Sequence, residues 1–210
     1  MIDINGGIID FGFVEALNML QEKEGLHLGT KLRKQHINFF KQKMKVRLAT
    51  QLLSRSVSDA LIYCRDKLNL KEFANCAPTA VFILLINNAF DILNSHKISD
   101  FNFKQAMCQK NIDKIKSFYT ELSHYINNLK LIDGTLVLNS QRKSGFVGLL
   151  MDFEALIGMY DEYIVKGDLK FIPTYKLNQD HIELFFGTSP SQGGYNNNPT
   201  CRQFIAAYKK

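Results

Sequence analysis

Residues 79–94 constrain the fold more than any other stretch of this 210-residue chain. Val81, Phe82, Leu84, Leu85, Ile86, Phe90, Ile92 and Leu93 cover most of a helix's circumference, and a helix that is apolar nearly all round is a buried one. The other elements must therefore wrap around it. Its apolar run, residues 80–86, is far too short to cross a bilayer, which takes about 20 residues. Asp91 and Asn94 stand near the C-terminal end, so a core element carries two polar groups. Only 4 prolines occur in the whole chain, and few breakers favour helices.

Helical spacing recurs on both sides of this element. Residues 13–23 bring Phe13, Leu17 and Leu20 to one face, and Gly25 ends that helix. Residues 33–68 read as one long helical region through Ile37, Phe40, Met44 and Leu48, then Val57, Leu61 and Cys64. Residues 111–129 place Ile112, Ile115, Tyr119, Leu122 and Ile126 in register, and residues 146–163 form a further apolar helix. Asp133-Gly134 is a turn signal ahead of a short strand at 135–138. Residues 100–109 read as a connection. After a boundary at Lys166-Gly167-Asp168, residues 169–175 are extended, 179–186 helical, and 187–199 a polar Gly/Asn-rich loop. Thr200 caps a last short helix. The expected fold class is mostly α.

Charge adds a direction. The 26 basic against 20 acidic residues leave a net +6, which leans toward an anionic partner such as nucleic acid or a nucleotide. The excess is concentrated: residues 25–58 contain no acid but hold Lys31, Arg33, Lys34, Lys41, Lys43, Lys45, Arg47 and Arg55. Such a stretch is either a solvated helix face or a stripe facing phosphates. Cys64, Cys76, Cys108 and Cys201 make no Cys-x-x-Cys pair and read as reduced structural thiols. The five histidines have no metal-ligand spacing. The segment Gly25-Leu26-His27-Leu28-Gly29-Thr30-Lys31 lacks the spacing of a phosphate-binding P-loop, so any nucleotide site uses another architecture.

Asp180 and Glu183, three residues apart, share one face if their segment is helical. They form either an ordinary surface pair or a place where a rigid carboxylate reaches a catalytic metal. The run Gly193-Gly194-Tyr195-Asn196-Asn197-Asn198-Pro199 can turn several backbone N–H groups toward one point, as a phosphate loop does, or can be a plain surface loop.

Several of these segments together resemble a known family. Lys31-Leu32-Arg33-Lys34-Gln35-His36-Ile37-Asn38-Phe39, Lys43-Met44-Lys45-Val46-Arg47-Leu48-Ala49 and Phe90-Asp91-Ile92-Leu93-Asn94-Ser95 resemble the GTP-binding insertion of P-element-type (THAP-family) DNA transposases. Gln179-Asp180-His181-Ile182-Glu183-Leu184-Phe185-Phe186, with Gly193-Gly194 and Asn196-Asn197-Asn198-Pro199-Thr200, resembles the family's C-terminal motif. The resemblance implies a nuclear protein acting on DNA, with an RNase H-like core split by a helical insertion that binds GTP and Mg2+. The resemblance further implies that the nucleotide serves assembly on DNA ends, and that in full-length members a THAP finger, a dimerising coiled coil and two catalytic Asp precede the insertion; these 210 residues hold none of the three. Carried onto this chain, Glu183 resembles the catalytic, metal-holding Glu. Asp91, Asn94, Lys45, Val46, Lys31 and Asp180 resemble nucleotide contacts.

The resemblance implies an organisation of residues 1–27 as the end of an upstream core segment or linker, 28–165 as the helical insertion, and 166–210 as the C-terminal RNase H-like segment. Two departures accompany it. Pro190-Ser191-Gln192-Gly193-Gly194 stands where many relatives have an Arg-x-Arg-Gly-Gly pattern, and Asp3 and Asp10 do not match the upstream catalytic motifs. The expected function is a partial or domesticated transposase that binds GTP and supplies one carboxylate to a strand-transfer site in a longer protein. The alternative is a non-catalytic helical module for DNA or protein contacts. Homo-oligomerisation is compatible with either, and no membrane partner is expected.

Overall fold

The computed structural model describes residues 1–25, 29–43, 45–179, 200–202 and 205. Its spine is helix α5 (Ala77–Leu93), which has Pro in its first turn, where the missing N–H costs nothing. The two halves of α5 enter two different hydrophobic clusters. Ala80 and Ile83 join Val14, Leu17, Val57, Leu61 and Phe73, from α1 (Gly12–Lys23), α4 (Arg55–Asp66) and the 3-10 turn Lys71–Phe73. Leu85, Ala89 and Ile92 join Ile115, Phe118, Leu122, Phe153 and Leu156, from α6 (Ile112–Asn128) and α7 (Lys143–Met159). Helix α7 runs on into a π-helical turn, Tyr160–Val165.

Three sequence expectations change. First, α5 is not buried all round: Val81 is 48% exposed and Phe90 38%. A helix placed between two clusters needs only the strips facing them, and the remainder stays open to solvent.

Second, the long helical region at 33–68 is broken into α2 (Lys34–Ile37), a 3-10 turn (Phe40–Gln42), α3 (Val46–Leu52) and α4. The backbone leaves helical geometry at Asn38, Lys45 and Leu53 and is extended at Ser54. Apolar spacing of three or four residues suits short helical pieces as well as one long one. A buried polar clip holds the first break. His36 is 1% exposed, its Nδ1 accepts the Arg33 N–H at 3.0 Å, and its Nε2 lies 3.0 Å from Gln51 Oε1 on α3.

Third, residues 135–138 are not a strand. Leu136 makes one bridge to Lys130 and the chain then turns into a 3-10 helix, Val137–Asn139. The paired strands lie elsewhere: β1 (Met107–Cys108), inside the expected connection, runs antiparallel to β2 (Phe171–Ile172), with Met107 opposite Ile172.

Residues 1–25 are woven into the helical body. Ile2 exchanges backbone hydrogen bonds with Lys130, and Asp3 Oδ1 accepts the N–H groups of Asn5 and Gly7. A Cβ on Gly7 would run into the Pro78 ring, so only glycine lets this turn meet the start of α5. At the other end, Thr174 anchors the segment leading out of the helical body. Its hydroxyl donates to Ile92 O at 2.6 Å and accepts the Ser95 N–H at 2.8 Å.

Two stability outcomes follow. Phe153, fully buried and stacked on Tyr119, costs about 3–5 kcal/mol when replaced by Ala, read by chemical denaturation. Thr174→Val keeps the volume but strands a buried carbonyl and N–H, and costs about 1–3 kcal/mol in the same measurement.

Candidate nucleotide site

One face of α5 turns away from both clusters. Ile86, Asn87, Phe90 and Asp91, spaced as helical neighbours, form one wall of a cavity of about 590 Å³. The opposite wall comes from the broken basic region: Val46, Arg47, Thr50 and Gln51 of α3 and Leu53, Ser54 and Ser56 at the α3–α4 corner. Gly29 and Lys31 close one side and Lys104 another. The volume lies within the roughly 300–1,000 Å³ typical of small-molecule sites. Charged lining groups among the described residues are Lys31, Arg47 and Lys104 against Asp91, so the cavity favours an anion. A second cavity of about 380 Å³ shares Asn87, Asp91 and Lys104 and extends toward Arg55, Asp100 and Phe103.

Asp91 is the half-buried carboxylate between the two cavities. Asn87 Nδ2, one turn earlier, donates to Asp91 Oδ2 at 3.1 Å, and Asn87 Oδ1 accepts the Arg55 N–H at 3.1 Å. The asparagine thereby fastens the carboxylate to the start of α4. Burial raises the Asp91 pKa above the ordinary carboxylate value, against the opposing pull of Lys104, the Asn87 hydrogen bond and Arg55. Burial wins because these partners do not replace the water lost by the charge.

The structure brings Lys31, Val46 and Asp91 together on this cavity. It does not bring in the others. Lys45 is exposed beside the wall, its Nζ donating to Gln42 Oε1 at 2.9 Å. Asn94 is half-buried at the C-cap of α5 and outside the lining. Asp180 and Glu183 lie outside the described residues. Sequence reasoning missed Asn87, Lys104, Ser54 and Ser56 as wall residues. Asn87 stands four residues before Asp91, a spacing that marks a same-face partner on a helix. Lys104 has no comparable signal, since it arrives on a 3-10 turn, Asn102–Lys104, packed against α5.

The donor set limits what metal can sit here. Among the described residues no group of three or more His, Cys, Asp or Glu is placed to hold a metal ion. One carboxylate suits Mg2+ only where phosphate oxygens and water supply the other ligands. The four cysteines are free, and Cys64, Cys76 and Cys108 are buried in the body of the protein. No helix among the described residues is long and apolar enough to cross a membrane.

The chain is thus a helical body with a cationic cleft and an outgoing segment anchored at the end of α5. Residues 1–106 match the family described as TNP-like, GTP-binding insertion domain, and residues 175–209 match the TNP-like RNase H C-terminal domain. The chain belongs to this P-element-type transposase family. It is 34% identical over 167 residues to human DNA transposase THAP9, covering 79% of this chain and 18% of that protein. It is 31% identical to the Drosophila melanogaster transposable element P transposase over all of this chain and 27% of that protein. Its fold matches the solved Drosophila P element transposase strand transfer complex with a TM-score of 0.77 and 28% identity, over 98% of this chain and 46% of the other. The chain thus spans about a fifth to a quarter of the length of the curated relatives it matches.

The raised pKa of Asp91 has a sign that can be checked. A carboxyl held above its unfolded value contributes full stability when protonated, and that contribution is lost as pH rises through the raised pKa. Asp91→Asn removes this loss and keeps an acceptor for Asn87. In the absence of nucleotide the variant should melt no lower than the parent at pH 7, and its advantage should shrink as pH falls toward 4, in thermal denaturation followed by circular dichroism.

Proposed function

We propose that this chain binds GTP in the cleft between α5 and the α3–α4 corner. The observation that carries the reading is the meeting of Lys31, Val46 and Asp91, from three separate stretches of sequence, on one cavity of nucleotide-compatible size. Lys31, Arg47 and Lys104 supply positive charge for phosphates, and Arg47 can do so through two parallel donors. A carboxylate accepts both the ring N–H and the exocyclic amino group of guanine, a pair of donors that adenine lacks. Asp91 is therefore the guanine-selecting group, and Asn87 positions it. With Asp91 turned to the base, Mg2+ would be held by phosphate oxygens of the nucleotide and water.

The proposal extends to the longer protein of which such a chain forms part in its relatives. Glu183 is the residue that supplies one metal-binding carboxylate to an RNase H-like DNA strand-transfer site, Asp180 is a further nucleotide-binding residue, and the work is done in the nucleus. Thr174 supports this coupling. It ties the segment running toward Asp180 and Glu183 to the end of the helix that carries Asp91, so a ligand that stiffens the cleft acts on a short, anchored connection.

Binding of GTP to the native state alone raises the melting temperature, and ATP should raise it much less. Asp91→Ala should abolish the preference. Lys31→Ala should weaken both nucleotides, by about 10-fold or more for a lost charge-assisted hydrogen bond. Equal shifts with GTP and ATP, unchanged by Asp91→Ala, would sink the guanine site. Cleavage is a separate test. The 210-residue chain with Mg2+ should leave DNA ends intact, because a single carboxylate cannot hold two metals; strand cleavage abolished by Glu183→Gln would reverse that conclusion.

A further inference from the structure

The 3-10 turn that interrupts the basic region carries an aromatic pair outside the nucleotide cleft. The Phe39 and Phe40 rings stack with centroids 4.9 Å apart and planes 17° apart, and Phe11 meets Phe39 edge-on at 6.3 Å. Phe11 and Phe39 thus form a backing, while Phe40 is 71% exposed. Lys43 Nζ stands 6.0 Å from the Phe40 ring centre, and Lys41, next to Phe40 in sequence, is exposed. The sequence around the turn carries no carboxylate: residues 25–58 contain no Asp or Glu.

From this geometry we infer that Phe40 is a stacking platform for a base of an unpaired DNA strand, with Lys41 and Lys43 meeting the adjoining phosphates. A flat, backed ring amid cations fits a ligand that is planar and aromatic but carries negative charge on its own backbone. An unpaired strand meets both conditions, and stacking needs no particular sequence. A duplex keeps its bases stacked inside and offers the ring only their edges. The inference is independent of the nucleotide reading, because Phe40 is not on the cleft wall.

The test uses the 210-residue chain without nucleotide, a fluorescein-labelled oligothymidylate of roughly 16 nucleotides, and a duplex of equal length, read by anisotropy. Phe40→Ala should weaken single-strand binding about 5- to 100-fold, the range for loss of one stacked base, and leave duplex binding and the melting temperature unchanged. Phe40→Trp should restore it. Lys43→Ala should reduce the slope of log affinity against log salt by about 0.7. The platform is ruled out if Phe40→Ala binds oligothymidylate like the parent, if Phe40→Trp behaves like Ala, or if polyglutamate of matched charge competes as well as oligothymidylate.

Discussion

The division of α5 between two hydrophobic clusters is the constraint on which the other features depend. Its first half is buried by α1 and α4, and its second half by α6 and α7. Neither cluster closes around the whole helix, so a face remains open in its C-terminal half, where Asn87, Phe90 and Asp91 stand. Had one core swallowed the helix, Asp91 would have been a buried charge with few partners, a state proteins avoid by neutralising or pairing the group. The split leaves the carboxylate half-buried: dry enough for its pKa to rise, open enough to meet a ligand.

The cleft itself comes from the failure of the basic region to continue as one helix. Extended geometry at Ser54 turns the chain between α3 and α4, and the clip from His36 to Arg33 and Gln51 fixes the turn before it. These breaks aim Lys31, Val46 and Arg47 at α5, while the exposed Phe40 turn lies on the outside. A continuous helix would have spread the same cations around its circumference, and their fields would not have summed at one place.

Two connections tie the ends of α5 to the rest of the body. Residues 1–9 tie its start to the end of α6 through the Ile2–Lys130 pairing and the close approach of Gly7 to Pro78. Thr174 ties its end to the outgoing segment. Both connections are backbone hydrogen bonds or buried contacts, which move as units, and neither relies on surface ion pairs that salt would weaken.

By itself the sequence determined the helical class, the positions of α1, α5 and α6 to within a residue or two, and the family, because these rest on local signals: apolar spacing, turn residues and short motifs. It also marked Asp91 as unusual, since a carboxylate on a strongly apolar helix is visible without a structure. Tertiary structure decided where the basic region breaks, that residues 107–108 pair with 171–172, and which marked residues face one cavity. Lys104 shows the reason. It reaches Asp91 by chain folding across an irregular turn, and no periodicity records that approach. Lys45 shows the converse: it is next to Val46 in sequence, but where the backbone leaves and re-enters helical geometry, Val46 lines the cavity and the Lys45 ammonium turns back to Gln42.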